Sequence, residues 1–300
     1  MTQGYRLGVD FGGTKIEAAV LDAMGRFVDR RRVPNPGGYD QALAAVVELV
    51  AASEASSGHR FECVGVGIPG SPSPASGRIR NANSTWLNGR ALGDDLEAAL
   101  GRAVRLANDA NCMVLSEAVD GAAAGAASVF GVIAGTGLGG GLVVDERILD
   151  GRNHVAGEWG HIPLPDARPD EDARCWCGRR NCLEVWLSGS GFQRDYQASG
   201  GEPLKAPDIL ASARSGDAAA RAAVERLIDR FGRALGLVVN LYDPEVIVIA
   251  GGLSNAPEIV DRLSDALRPH VFSDHCDTPV RAALHGDSSG VRGAAWLWPN

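Results

Sequence analysis

Two glycine-rich turns, each set between a pair of β-like apolar runs, restrict this chain more than any other feature. The first is Asp10-Phe11-Gly12-Gly13-Thr14-Lys15, between runs at 7–10 and 16–21. The second is Gly135-Thr136-Gly137-Leu138-Gly139-Gly140-Gly141, between runs at 128–134 and 142–144. Turns without side chains close hairpins and let backbone N–H groups approach an anion. A third run near 27–33 extends the first pair into an antiparallel meander. Helical spacing follows at 41–53, where Leu43, Val46, Val47 and Val50 recur, and 64–68 reads as a buried strand ending at Pro69-Gly70. A helix closing at 96–100, a strand at 104–106 and a helix over 110–118 complete the order βββαβαβα. After 121–127 the strand-turn-strand theme starts again. An irregular stretch at 150–182, a helical pattern at 218–240, a strand at 246–249 and helices at 256–267 and 288–298 follow.

Three hundred residues exceed one comfortable core, so two α/β lobes are expected, 1–119 and 120–287. The balance of 29 basic against 37 acidic residues, net −8, argues against a nucleic-acid partner. No apolar run reaches the roughly 18–20 residues needed to cross a bilayer, and the first residues lack a basic region followed by an apolar stretch. A cytoplasmic enzyme acting on small molecules, without a membrane partner, is the expectation.

In the first turn Asp10 ends a strand, and the backbone of Gly12 and Gly13 with Thr14 and Lys15 suits a phosphate and its metal ion. The spacing is not that of a Walker A loop, and too few residues precede D-F-G for a protein-kinase arrangement. A plain hairpin fits the same letters. The second turn contains G-x-G-x-x-G, but a strand rather than a helix follows, which excludes the dinucleotide fingerprint. With one such turn in each lobe, a nucleoside triphosphate gripped from both sides becomes the expected ligand. Gly251-Gly252, after the run VIVIA, fits either an ordinary strand-to-helix turn or an adenosine contact. Asn108-Asp109 stands between a strand and a helix, so Asp109 suits either an N-cap or the acceptor of a hydroxyl proton.

The strongest local signal is Glu158-Trp159-Gly160-His161 followed by Cys175-Trp176-Cys177 and Cys182-Leu183-Glu184. Three of the six cysteines fall within eight positions of a Gly/Arg-rich loop near a histidine. His161, Cys175, Cys177 and Cys182 make the closed ligand set of a structural zinc ion; free thiols are the alternative. Such a brace would fix Glu158 and Glu184, which flank it, toward the cleft; two solvated acids are the alternative. Cys63, Cys112 and Cys276 read as core or surface thiols, and Arg30-Arg31-Arg32 as an exposed strand end.

DFGGTK, GIPG, NDAN, GTGLGGG, E-x-G-H and C-x-C-G-x-x-x-C-x-E stand in one order from about residue 6 onward, and together they resemble the ROK family of bacterial sugar kinases. Within it, 67–71, 81–89 and 285–298 look most like bacterial fructokinase of the manno(fructo)kinase type, with N-acetylglucosamine kinase the nearest relative. The resemblance implies a two-lobed actin-like, hexokinase-like ATPase fold with ribonuclease H-like lobes and a zinc-binding loop, the helix at 288–300 packing back on the first lobe. It implies ATP, Mg2+ and structural Zn2+, a homodimer, and transfer of phosphate to the 6-hydroxyl of D-fructose. N-acetylglucosamine, mannose and glucose are the alternative acceptors, and a non-catalytic sugar sensor is the alternative of another class. Asp109 would be the general base; Asn83, Asn108, Glu158, His161 and Glu184 would hydrogen-bond the sugar. Asp10, Gly12, Gly13, Thr14, Lys15, Thr136 and Gly137 would surround the phosphates and magnesium. One departure is Asn181, where the family often has glycine before the last cysteine; asparagine tolerates the left-handed backbone that such a turn needs.

Overall fold

In the computed structural model, which describes residues 4–298, the first glycine turn joins two antiparallel strands, Arg6–Phe11 and Lys15–Leu21, with Asp10 opposite Glu17. Phe27–Pro34 pairs antiparallel with the second strand, and Cys63–Ile68 and Ala103–Asn108 extend the sheet in parallel beside the first. Only the antiparallel members can be joined by tight turns. The parallel ones need crossovers, supplied by Tyr39–Ser57 and Leu92–Leu100. Each of these helices ends on a left-handed glycine, Gly58 and Gly101. Val46, Leu49 and Val50 of the first helix are buried, as are Val9, Phe11, Ile16, Val64 and Val66 of the sheet.

The chain divides into two units. One comprises Met1–Gly125, Glu146–Ala156 and Asp287–Asn300; the other comprises Ala126–Asp145 and Gly157–Gly286. A linear division at 119 and 120 assigns Glu146–Ala156 to the second lobe, whereas it clusters with the first unit. There the Arg80 guanidinium donates to the carbonyls of Asn153 and His154. Helix Ser289–Trp296 also belongs to the first unit and packs on the strands Arg6–Phe11 and Cys63–Ile68 and on the helix Asp109–Asp120. Gly8, Gly65 and Gly293 permit this, because a Cβ at any of them would collide with backbone across the contact. Pro299 and Asn300, the end of the helix expected at 288–300, lie outside the described residues.

The Arg30-Arg31-Arg32 run is not a strand end. It lies mid-strand, and its period of two puts Arg30 and Arg32 on one face, where both pair with the buried Glu17 carboxylate. Arg31 turns the other way, to Asp29.

The second unit repeats the opening theme. Ser128–Ala134 pairs antiparallel with Leu138–Val144 and parallel with Val246–Ala250, which pairs parallel with Val280–Ala282. The turn is shorter than the glycine run suggests: Leu138, Gly139, Gly140 and Gly141 are already strand, opposite Ala134 to Gly131. Their bareness serves packing instead, since a Cβ on Gly140 would lie 2.7 Å from Trp159. Helices Gly189–Ala198, Ala206–Arg214, Ala218–Tyr242 and Pro257–Leu267 surround this sheet. Leu227, Phe231, Leu235, Ile259 and Leu263 are among the residues that fill its core.

Candidate active site and metal centre

In each unit part of the functional set foreseen from sequence lies at the carboxyl ends of parallel strands, where an open α/β sheet leaves backbone N–H groups and turn residues unobstructed: Asp10 with its turn and Asn108-Asp109 in the first unit, Thr136-Gly137 and Gly251-Gly252 in the second; Asn83, Glu158, His161, Glu184 and the cysteines stand on loops. In the first unit Arg6–Phe11 delivers Asp10 and the Gly12-Gly13-Thr14 turn, while Ala103–Asn108 delivers Asn108 and Asp109. The turn is braced by Asn35, whose amide donates to the Gly12 carbonyl at 2.7 Å and whose backbone N–H donates to Thr14. A Cβ on Gly13 would sit 3.0 Å from Ser84 Oγ and 4.0 Å from Asn83 Oδ1, so the missing side chain leaves a recess beside Asn83. Asn88 holds that loop by accepting from and donating to the Ala82 backbone, at 2.9 and 3.0 Å.

The helix cap is Asn108 and not Asp109. Asn108 Oδ1 accepts from the Ala110 N–H at 2.9 Å and its Nδ2 donates to the Gly70 carbonyl at 3.1 Å. Asp109 is therefore the first helical residue; it is exposed, with Oδ1 2.8 Å from the same Ala110 nitrogen. Burial pushes the Asp10 carboxyl up to about 6, the charges of Asp109 and Glu17 adding to it while Lys15 and Arg32 oppose it. Such a cluster of carboxylates favours a cation. Cys112, beneath Asp10 and Asp109, is buried and its thiol is held well above the ordinary range by desolvation.

In the second unit a cavity of about 590 Å³ opens beside the other glycine turn, lined by Gly135 and Thr136, by Ser190 and Gln193, by Leu210, and by Gly252 and Asn255. That volume suits a nucleoside-sized ligand. Gly251 has φ +83°, and a Cβ there would lie 2.7 Å from the Ala134 backbone, so both conformation and space require glycine. Gly189 N–H donates to the Gly135 carbonyl at 2.7 Å, which ties the helix at 189–198 to the turn. Ser190, Gln193, Leu210, Arg214 and Asn255 were not foreseen; they come from segments distant in sequence and carry no motif. Arg214 is held by an ion pair with Glu258 at 2.8 Å.

The zinc-type cluster assembles in the same unit. The ligand atoms of His161, Cys175, Cys177 and Cys182 all lie within 4.8 Å of one another. Cys175 Sγ is 3.8 Å from His161 Nδ1, and Cys177 and Cys182 sulfurs are 3.6 Å apart. With Zn–S bonds of about 2.3 Å, the edge of a tetrahedron is about 3.8 Å, so these four atoms fit a closed structural zinc site. Burial pushes the Cys182 thiol up to about 12 and Cys175 upward, whereas the Arg179 backbone amide draws Cys177 down. Asn181 sits at φ +56°, in the left-handed region expected of it, and its side chain accepts from Ala173 N and donates to Glu171 O, each at 2.7 Å.

Glu158, exposed, precedes the short turn Trp159–His161; Trp159 anchors this segment by donating to the Gly139 carbonyl at 2.9 Å. Glu184, two residues after Cys182, has Oε2 3.1 Å from the Leu138 backbone nitrogen and Oε1 2.6 Å from the Trp176 indole nitrogen. His161 and Glu184 thus stand within one brace, joined through Trp176.

The ROK family model matches residues 6–300. Over 300 residues the chain is 43% identical to an N-acetyl-D-glucosamine kinase of Shigella flexneri serotype 5b, covering 97% of this chain and 98% of that protein. Among solved structures, the ROK hexokinase of Thermus thermophilus is 33% identical with a TM-score of 0.88, covering 98% of this chain and 97% of its own. A ROK family glucokinase from Streptomyces griseus, in complex with glucose and AMPPNP, is 29% identical with a TM-score of 0.78, covering 98% and 99%. No helix among the described residues is long and apolar enough to cross a membrane. On the match along nearly its whole length, the chain belongs to the ROK family, has the hexokinase-like fold of its kinases, and is an ATP-dependent sugar kinase.

Proposed function

We propose that the acceptor is N-acetyl-D-glucosamine, phosphorylated at its 6-hydroxyl. The observation that carries this reading is the 43% identity to N-acetyl-D-glucosamine kinase along almost all of both chains. It moves the preferred hexose away from D-fructose, which the segments 67–71, 81–89 and 285–298 suggested. Asp109 accepts the hydroxyl proton as the sugar oxygen bonds to the γ-phosphorus; the bond to the β–γ bridging oxygen breaks and ADP leaves. Exposure at the first turn of its helix suits Asp109 for this, and the Asn108 cap keeps that turn in place.

Asn83, Asn108, Glu158, His161 and Glu184 hydrogen-bond the sugar. Asp10, Gly12, Gly13, Thr14, Lys15, Thr136 and Gly137 hold the triphosphate with its Mg2+, and Gly251 and Gly252 approach the adenosine. The recess at Gly13, the cavity beside Thr136 and Gly252, and the anionic pull of Asp10 support these roles. His161, Cys175, Cys177 and Cys182 would hold a structural Zn2+, which would brace the loop that carries His161 and Glu184. The family resemblance supports a cytoplasmic homodimer whose partners are a small sugar and ATP.

ADP release with ATP, Mg2+ and a panel of N-acetylglucosamine, fructose, mannose and glucose tests the assignment. N-acetylglucosamine is expected to give the highest kcat/KM. A higher value for fructose would restore the other hexose, and no turnover with any sugar would leave the sensor reading.

A further inference from the structure

Trp176 is 78% exposed, an unusual position for the largest apolar side chain in a segment that offers it no pocket. Its place is set by two directed contacts instead. The indole N–H donates to Glu184 Oε1 at 2.6 Å, and the ring meets the His161 imidazole edge-on, with centroids 5.1 Å apart at 82°. Its neighbours on either side, Cys175 and Cys177, both belong to the cluster of possible metal ligands, so an ion held there would clamp the backbone carrying the indole at both ends. The other Glu184 oxygen accepts from Leu138 N–H at 3.1 Å and lies against Gly137, where a Cβ would approach it to 2.8 Å. A carboxylate offers about four lone-pair directions, so two fixed donors orient the group and leave the remaining directions for ligand hydroxyls.

We propose that Trp176 is a positioning residue for sugar selection: by fixing the carboxylate plane of Glu184 it determines which hexose hydroxyls that group can accept from. This rests on the assignment of Glu184 to the sugar in the preceding section. A site whose acceptors are held in one orientation discriminates between sugars that differ at a single position, as N-acetylglucosamine and glucose do at C2; an acceptor free to rotate binds them all less well.

The test uses Trp176→Phe in the whole 300-residue chain, which keeps an aromatic ring beside His161 while removing the N–H donor, with zinc content matched to wild type. The KM for N-acetylglucosamine is expected to rise about tenfold, with kcat and the KM for ATP close to wild type, and the preference over glucose to narrow. Calorimetric sugar binding to Trp176→Phe, Glu184→Gln and the double variant separates positioning from a general effect on the loop. If the indole acts through Glu184, adding Trp176→Phe to Glu184→Gln changes affinity little. A wild-type KM in Trp176→Phe, or full additivity in the double variant, overturns the inference while leaving the kinase assignment standing. A wild-type enzyme that phosphorylates no hexose removes both.

Discussion

Glu171→Gln removes the charge on which two buried arginines converge. Glu171 is 2% exposed, and Arg230 and Arg233 are each 4% exposed. Glu171 Oε1 accepts from Arg230 Nε at 2.8 Å and from Arg233 at 2.7 Å, while Oε2 accepts from Arg233 and from the Arg168 backbone N–H, both at 2.9 Å. Burial alone would raise this carboxyl; hydrogen bonds from Arg233, the Arg168 amide and Arg230 outweigh it and hold Glu171 at about 2 rather than the usual 4.5. A difference of about 2.5 pKa units corresponds to about 3 kcal/mol, within the range for removing one partner of a buried ion pair. Because the folded value lies below the unfolded one, this stabilisation is complete above about pH 4.5 and is lost as the pH falls toward 2. For a domain of this size about 3 kcal/mol lowers Tm by about 6–12 °C. Scanning calorimetry of the Glu171→Gln variant should show that drop near neutral pH and a clearly smaller one near pH 3. A neutral-pH drop below about 2 °C, or one that does not shrink in acid, refutes the reasoning.

Metal analysis of the purified protein should find about one zinc per chain, and chelation should lower the transition of the second unit; a metal-free protein with an unchanged transition removes the brace. Asp10→Asn should make the fold more stable while stopping turnover, as expected where a carboxylate is held in an unfavourable place for function. The folded pKa of about 6 lies above the ordinary 3.8, so the penalty is absent below about pH 4. It grows to about 3 kcal/mol as the pH passes 6. Chemical denaturation at two pH values checks the sign, and a less stable Asn variant at pH 8 contradicts it.

Elements whose signal is local were legible in the sequence. The helices Tyr39–Ser57 and Ala218–Tyr242 follow an apolar period of 3.6, the strand Val246–Ala250 is a continuous apolar run, and the meander through Phe27–Pro34 is marked by short β-like runs between turns. Asn181 carried its left-handed conformation in its identity. Helices Gly189–Ala198 and Ala206–Arg214 were not legible: the first opens on Gly-Ser-Gly and the second has Pro207 in its first turn. The first is capped by Ser188, whose Oγ accepts from Gly191 N–H, and both owe their helicity to tertiary packing. For the same reason the cavity lined by Gln193, Leu210 and Asn255 was invisible, since side chains from separate helices meet there with no fixed spacing. The order of Asn108 and Asp109 at the helix start also escaped the sequence, where either residue makes a good cap and only the Gly70 contact selects Asn108. Glu171 and Trp176 stood within the loop, but their partners on Ala218–Tyr242 and at Glu184 became apparent only in three dimensions.

The most direct test of the catalytic account is the rate of ADP formation by Asp109→Asn at saturating ATP and N-acetylglucosamine, beside calorimetric binding of both ligands. The substitution retains the shape of the side chain and removes only its basicity. A fall of roughly 10²–10⁴-fold in kcat, with sugar and nucleotide binding and Tm close to wild type, is the predicted result. An unchanged kcat would contradict the assignment of Asp109 as the proton acceptor and, with it, the mechanism proposed for this chain.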